Sequence, residues 1–358
     1  MEPINVQDYQ SLAKDRLDAK VYDYFVGGSG DELTVERNRL AWDSIQLIPR
    51  VLVDVSKRDF STTVLGQKVD MPVLIAPCGI NALAHPDGEL AVSRAAAAEG
   101  VIYVVSTMSN YSMEEIAGAS DGVRWFQLYC FRDREILRDL VERAEASGYT
   151  ALCVTVDVPM LGVRERDKRN RFGMPEGLRL KNLEQAGADI MAQASSGSSL
   201  NQYVADQFDP SLTWELLEWL RGITSLPILL KGILNAADAR LAVEHGVNGI
   251  IVSNHGGRQL DGAVTGCEAL PAIVDAVGGA TEILVDGGIR RGTDVLKALA
   301  LGAQAVLIGK SYLWALAVDG EAGVRNVLDI LRWELSSSMA LAGRPNIASI
   351  EGDLIARI

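Results

Sequence analysis

The segment Ser253-Asn254-His255-Gly256-Gly257-Arg258-Gln259-Leu260-Asp261-Gly262 sets an imidazole beside two glycines, with a guanidinium three residues on. Glycines next to a titratable side chain let a ligand approach the backbone closely. A histidine there is a candidate general base, because its ordinary pKa lies near neutrality. Such a base works best with a carboxylate that orients the ring and stabilises its protonated form. Asp157, closing the apolar run Leu152–Asp157, is the candidate. Arg164 and Arg258 could hold a substrate carboxylate through planar, charge-assisted hydrogen bonds. From the residues alone, each arginine also fits a surface ion pair, and Arg164 opens the charged run 164–169.

A second constellation has phosphate chemistry. Asp286-Gly287-Gly288-Ile289-Arg290-Arg291-Gly292 and Gly309-Lys310 each follow an apolar run with glycine and a cation. Exposed backbone N–H groups, a helix N-terminus and Arg290 together would hold an anion. Lys231 ends another apolar run and adds a cation of its own.

These residues need a scaffold that gathers strand ends. Eight Val/Ile/Leu-rich runs recur along the chain: Val73–Pro77, Ile102–Ser106, Trp125–Tyr129, Leu152–Asp157, Ile228–Gly232, Gly249–Asn254, Ile283–Gly288 and Ala305–Gly309. They are continuously apolar rather than alternating, as parallel strands buried on both faces are. Helical stretches such as Glu89–Glu99, Arg134–Ala146, Ala236–Glu244 and Thr293–Leu301 separate them and run into Gly100, Gly148, Gly246 and Gly302. Glycine just past a helix is a stop signal. The pattern predicts a single α/β domain over 1–358, a (β/α)8 TIM barrel whose active site lies at the strand C-termini. An open doubly wound sheet would carry a Gly-x-Gly-x-x-Gly turn after its first strand, and Gly27-Gly28-Ser29-Gly30 has neither that spacing nor the strand. Residues 1–70 read as an N-terminal helical extension with a small closing element. Residues 158–226, an overlong connection after the fourth strand, read as a lid loop around the polar run 195–199.

Composition narrows the function. Lys plus Arg number 34 against 47 Asp plus Glu, a net charge of −13. An acidic chain is poorly suited to nucleic acid or to anionic lipid. The four cysteines are scattered and the three histidines have no zinc-ligand spacing, so no metal site is expected. With no apolar stretch of membrane-spanning length and no signal-like N-terminus, the expectation is a cytoplasmic protein.

The strand-six segment resembles the active-site signature of the FMN-dependent α-hydroxy-acid oxidising family, which includes glycolate oxidase, lactate oxidase and mandelate dehydrogenase. Tyr22-Asp23-Tyr24, Leu74–Pro77, Gln127-Leu128-Tyr129, Thr155-Val156-Asp157, Lys231-Gly232 and Asp286–Arg290 fall in the family's order, so the resemblance covers nearly the whole chain. It implies that His255 takes the α-hydroxyl proton while a hydride, or in a competing scheme an electron pair, leaves the α-carbon for the flavin. Asp157 would stabilise the imidazolium. Arg258, Arg164 and the Tyr24 hydroxyl would bind the carboxylate, with Tyr129 near the substrate hydroxyl. Lys231 would offset the charge of the reduced flavin. The flavin would lie against Ala76, Pro77 and Cys78 and bond to Ser106, Gln127, Thr155 and Ser253. Asp286 would hold the ribityl chain, and Gly288, Arg290, Gly309 and Lys310 the phosphate.

Three positions depart from the family's habits. Lys310 stands where arginine is usual, which turns a planar fork into a point charge. Met108 replaces the tryptophan of plant glycolate oxidases. Gly79 is glycine, as in mandelate dehydrogenases, where oxidases commonly have alanine; both positions would shape the substrate pocket. The resemblance thus implies oxidation of (S)-2-hydroxy acids of lactate or mandelate type to 2-oxo acids, with O2 reduced to H2O2, in a homotetramer. A dehydrogenase passing electrons to a quinone is the alternative, though the polar stretch 178–208 lacks an apolar anchoring face. An FMN barrel isomerase acting on a prenyl diphosphate would have no use for a histidine base beside a carboxylate clamp.

Overall fold

The computed structural model describes residues 2–186 and 207–356, so the polar run 195–199 lies outside the described residues. A hairpin of β1 (Thr62–Val64) and β2 (Gln67–Val69) comes first. Parallel strands then form where the apolar runs offer side chains to both faces of a sheet. They are β3 (Val73–Ile75), β4 (Tyr103–Ser106), β5 (Arg124–Tyr129), β6 (Leu152–Thr155), β7 (Ile228–Ile233), β8 (Gly249–Val252), β9 (Glu282–Asp286) and β10 (Ala305–Ile308). They close in the order β10-β3-β4-β5-β6-β7-β8-β9, one strand from each expected run. The fold is the (β/α)8 barrel.

Helices return the chain between strands and begin where their caps dictate. Arg134–Ala146 starts at Asp133, whose side chain accepts from Glu135 N. Gly266–Val277 starts in a reciprocal Thr265–Glu268 capping box and stops at Gly278, in the left-handed region. Three helices precede the barrel: α1 (Val6–Arg16), α2 (Ala19–Val26) and α3 (Leu33–Ser44). No helix among the described residues is long and apolar enough to cross a membrane.

Side chains alternate across each strand, and this period of two builds two cores. Outward residues, among them Val105, Phe126, Val154 and Leu230, join the helices in one cluster. Inward residues Leu74, Val104, Trp125, Cys153, Leu229, Ile251, Leu284 and Leu307 form a second. Val64 and Val69 of the hairpin join that inner cluster, and Leu65 N donates to Glu282 at the start of β9, 2.9 Å away. The hairpin therefore closes the N-terminal end of the barrel.

One pleat further along the same inward face, the apolar layer stops. The next inward positions are Ala76, Ser106, Gln127, Thr155, Lys231, Ser253, Asp286 and Gly309. Most of the candidate cofactor residues thus form one ring that floors the C-terminal mouth of the barrel. Several belong to the strands themselves rather than to the loops beyond, Lys231 and Asp286 among them.

Candidate active site

Within the ring the polar groups satisfy one another sideways. Gln127 donates from Nε2 to Thr155 Oγ1 at 2.9 Å, and Ser106 Oγ donates to Gln127 Oε1 at 3.3 Å. Lys231 Nζ donates to Ser253 Oγ at 2.8 Å and pairs with Asp286 Oδ2 at 3.0 Å. Burial works against its ammonium, but Asp286 and Asp157 outweigh that cost and raise its pKa, so the cation persists. Asp286 Oδ1 is buried with no partner among the described residues.

His255 stands above the ring, in a left-handed backbone conformation at φ +59. That conformation is uncommon for any residue with a Cβ, and such backbones concentrate at functional sites. Ser253 Oγ holds its N–H at 3.0 Å. Its Nδ1 lies 2.9 Å from Asp157 Oδ1, and its Nε2 lies 3.4 Å from the Tyr129 hydroxyl. A carboxylate at Nδ1 requires the proton there, which leaves Nε2 as the acceptor. Burial opposes the charge on Asp157, yet His255 and Lys231 hold its carboxyl below the ordinary range. Gln259 fixes the Asp157 segment by donating to the carbonyls of Asp157 and Met160 at 2.8 and 2.9 Å. Burial, with the Asp157 charge behind it, pushes the Tyr129 phenol up to about 12, so it stays a neutral donor.

Arg164 and Arg258 line the same cavity as His255, Tyr129 and Tyr24. Burial and the charge of Arg258 both lower the pKa of Arg164, and its Nε has no partner among the described residues. Arg258 donates to the carbonyls of Tyr24 and Gly27 at 2.7 and 2.9 Å, with its guanidinium 5.1 Å from the Tyr24 ring centre. Both therefore sit inside the site, and neither pairs with a carboxylate among the described residues. Two such cations on one cavity favour an anionic ligand.

The phosphate candidates gather at the other end of the cavity. An ideal Cβ on Gly288 would fall 1.9 Å from the Asn38 carbonyl, and its φ is +83, so only glycine fits this turn. Burial and the nearby Arg39 lower Arg290 to about 10, while its guanidinium lies 4.6 Å from the Trp314 ring centre. Burial, then repulsion from Arg258 and Arg290, pulls Lys310 well below the ordinary lysine value; its Nζ donates to Val26 O at 2.7 Å. One expectation changes in detail. The helix Gly292–Ala300 does not present a bare N-terminus, because Asp294 accepts from the N–H of Arg290 and Arg291, and Glu334 from that of Gly292. The helix that begins at Lys310 has only Gly309 as its N-cap, with no side chain bonded there. Buried cations that form no ion pair among the described residues, a glycine cradle and the Asp286 oxygen left without a partner there fit a flavin mononucleotide: Gly288, Arg290, Gly309 and Lys310 would hold the phosphate, Asp286 the ribityl chain, and Ala76 to Cys78 would lie against the ring.

Gly79 is not in the left-handed region; it is glycine for want of space. A Cβ there would lie 2.7 Å from Met108 Cβ and 3.1 Å from Met108 O, so the methyl meets Met108 rather than open cavity. Sequence reasoning passed over Phe208, Leu161 and Asn38, which also line the cavity. Phe208 is held by a bridge to Phe131 and lies 5.0 Å from the Tyr129 ring centre. In the sequence it follows a stretch with no periodicity, and its aromatic character is the only signal it offers. Asn38, buried on α3, exchanges hydrogen bonds of 3.0 and 2.8 Å with Asn254 and so ties the extension to the strand-six loop.

Residues 13–357 match the family model for FMN-dependent dehydrogenase. The chain is 52% identical over 353 residues to an L-lactate oxidase of Nostoc sp., covering 98% of this chain and 97% of that one. It is 50% identical over 351 residues to glycolate oxidase 3 of Arabidopsis thaliana, covering 98% and 95%. Among solved structures, a mandelate oxidase with (S)-4-hydroxymandelic acid superposes with a TM-score of 0.93 at 44% identity, covering 99% of this chain and 98% of that one.

Proposed function

The chain belongs to the FMN-dependent dehydrogenase family, and we propose that it uses this site to oxidise small (S)-2-hydroxy acids to 2-oxo acids. The observation that carries the reading is the His255–Asp157 pair facing two arginines across one cavity. FMN, when bound, supplies the two-electron acceptor, which O2 reoxidises with release of H2O2.

The protein's own groups do the rest. Arg258 and Arg164 take the carboxylate, and the Tyr24 hydroxyl adds a donor, so the α-carbon is held in one orientation. His255 Nε2 accepts the α-hydroxyl proton, and Asp157 stabilises the imidazolium through Nδ1. Tyr129, neutral up to about 12, donates to the substrate oxygen. Lys231, kept cationic by Asp286 and Asp157, sets positive charge where reduction adds negative charge. Phe208 and Leu161 exclude water from the cavity.

The substrate range we propose runs from lactate to mandelate, supported by the named activities of the relatives and by Met108, whose thioether adapts to different neighbours. A homotetramer rests on the family resemblance, and a cytoplasmic setting on four free thiols. Anaerobic mixing with (S)-lactate, glycolate and (S)-mandelate should bleach the FMN, and air should restore it with H2O2. Protein that no 2-hydroxy acid bleaches would sink the activity. Bleaching that air does not reverse would transfer the chain to the quinone-linked alternative.

A further inference from the structure

Behind the substrate cavity lies a carboxylate that the mechanism does not use. Glu89, fully buried in the first turn of the helix Gly88–Ala98, accepts at Oε1 from Asn81 N at 3.0 Å and from Asn110 N at 3.2 Å. Its Oε2 has no partner among the described residues. The two N–H groups belong to different loops. Asn81 follows β3 and Asn110 follows β4, so one carboxylate ties together the loops that carry Gly79 and Met108.

Between Gly79 and Asn81 sits Ile80, buried and at φ +59. A β-branched residue in the left-handed region is a strained outlier, and it persists only where the surroundings over-determine it. Here they do. Ile80 N donates to Met108 O at 2.9 Å, Asn81 N to Glu89, and Ala82 N to Asn110 Oδ1 at 3.0 Å. The strained turn is what brings Gly79 within 2.7 Å, by its missing Cβ, of Met108.

We propose that Glu89 is a positioning residue for substrate choice: its buried carboxylate holds the strained Ile80 turn and so sets the Gly79–Met108 wall of the cavity. The inference rests on the proposed activity only for where the substrate side chain lies. If the anchor is lost, Ile80 relaxes toward negative φ, the two loops part, and the wall moves. The carboxylate clamp and His255 stand on other strands, so binding of the side chain changes while the chemistry at the α-carbon is spared.

The test uses FMN-loaded protein with Glu89→Gln, Glu89→Leu and Glu89→Asp. Phenylacetate and propionate, carboxylates with no hydroxyl to oxidise, are titrated against the visible spectrum of bound FMN, and kcat and KM are measured for (S)-mandelate and (S)-lactate. Glu89→Gln keeps the accepting oxygen and should leave the phenylacetate-to-propionate Kd ratio within threefold of wild type. Glu89→Leu should shift that ratio about tenfold, and the mandelate-to-lactate ratio with it, through KM and with kcat for lactate within threefold. Glu89→Asp draws the carboxylate back by one methylene; it should shift the ratios in the same sense and answers the question if Glu89→Leu does not fold. Unchanged ratios in a folded, FMN-bound Leu or Asp variant would overturn the proposal, as would equal losses for both ligands. Wild type that oxidises neither acid counts against the activity, whereas the two Kd values still report on the wall.

Discussion

His255 meets Asp157 through Nδ1 at 2.9 Å, which leaves Nε2 as the ring nitrogen facing the Tyr129 hydroxyl and the cavity. The pair therefore has one orientation and one free basic site. His255→Ala should keep FMN bound yet slow its reduction by substrate at least 10²–10⁴-fold, the worth of a general base. Asp157→Asn keeps the contact and removes the charge, so the loss should fall on kcat. Stopped-flow reduction of the FMN decides; a near-normal rate in His255→Ala would remove His255 as the base.

Arg258 spends donors on the carbonyls of Tyr24 and Gly27, whereas Arg164 makes no side-chain hydrogen bond among the described residues. Arg258→Lys retains charge but loses the planar fork that reaches backbone and substrate together. A large fall in kcat/KM is expected, shared between KM and kcat, because a misplaced α-carbon slows the chemistry as well. Wild-type kinetics would leave Arg164 as the principal anchor for the carboxylate.

Gly79→Ala tests the wall directly. A methyl 2.7 Å from Met108 Cβ forces one loop to move, and a methyl-sized change in a pocket is worth about 1–3 kcal/mol, or 10–200-fold in specificity. The mandelate-to-lactate ratio of kcat/KM should fall. Because the nearest clash is with Cβ, Gly79→Ala should change the ratio less in a Met108→Gly background than in wild type, and no less in a Met108→Ala background. A ratio within about threefold in Gly79→Ala alone would take the residue out of the specificity argument.

The barrel and most of the site could be read from the chain because both follow a period of two. A continuous apolar run marks a strand, and the first polar residue on its inward face marks the floor: Ser106, Gln127, Thr155, Lys231, Ser253 and Asp286 all obey this. The motif around His255 carried its own geometry in its glycines. What stayed hidden depends on distance across the fold. Gly79 reads in the sequence as a position that shapes the pocket, and only the folded chain shows that Met108 takes up the room a methyl would need. Glu89 merely opens the helical stretch Glu89–Glu99 in the sequence, since no local pattern says that two loops will close over it. Phe208 and Asn38 reach the cavity from segments whose spacing carries no signal for it.

Lys310 should make FMN binding depend on pH. Burial and the charges of Arg258 and Arg290 lower its pKa well below that of an ordinary lysine, with Glu32 an opposing charge and the Cys78 thiol beside it. A phosphate raises the lysine's pKa again, so binding takes up a proton wherever the empty site holds neutral amine. FMN affinity should therefore fall as pH rises through the interval between the lowered and the ordinary value, by up to about tenfold per pH unit. Lys310→Arg keeps its charge throughout that interval, so its affinity should be higher and nearly flat. Equilibrium titration of deflavinated protein with FMN from pH 6 to 9 measures both slopes. Parallel curves for the two proteins would mean that Lys310 stays charged in the empty site.

Glu89 gives the opposite kind of dependence, in stability. Burial, against the pull of its backbone N–H bonds, pushes its carboxyl from an ordinary 4.5 to about 7. Between those values the unfolded chain has lost a proton that the folded protein keeps. The contribution is thus fully present below pH 4.5 and declines as pH rises toward 7, by about 3 kcal/mol in all. Glu89→Gln keeps the acceptor and cannot ionise, so it escapes that decline. The Tm of the variant minus that of wild type, both loaded with FMN, should grow from pH 5 to pH 8. Since about 1 kcal/mol moves Tm by only a degree or two in a chain of this size, the expected gain is about 2–5 °C. A difference that stays level across that range would mean the carboxylate is charged throughout, satisfied by the N–H groups of Asn81 and Asn110.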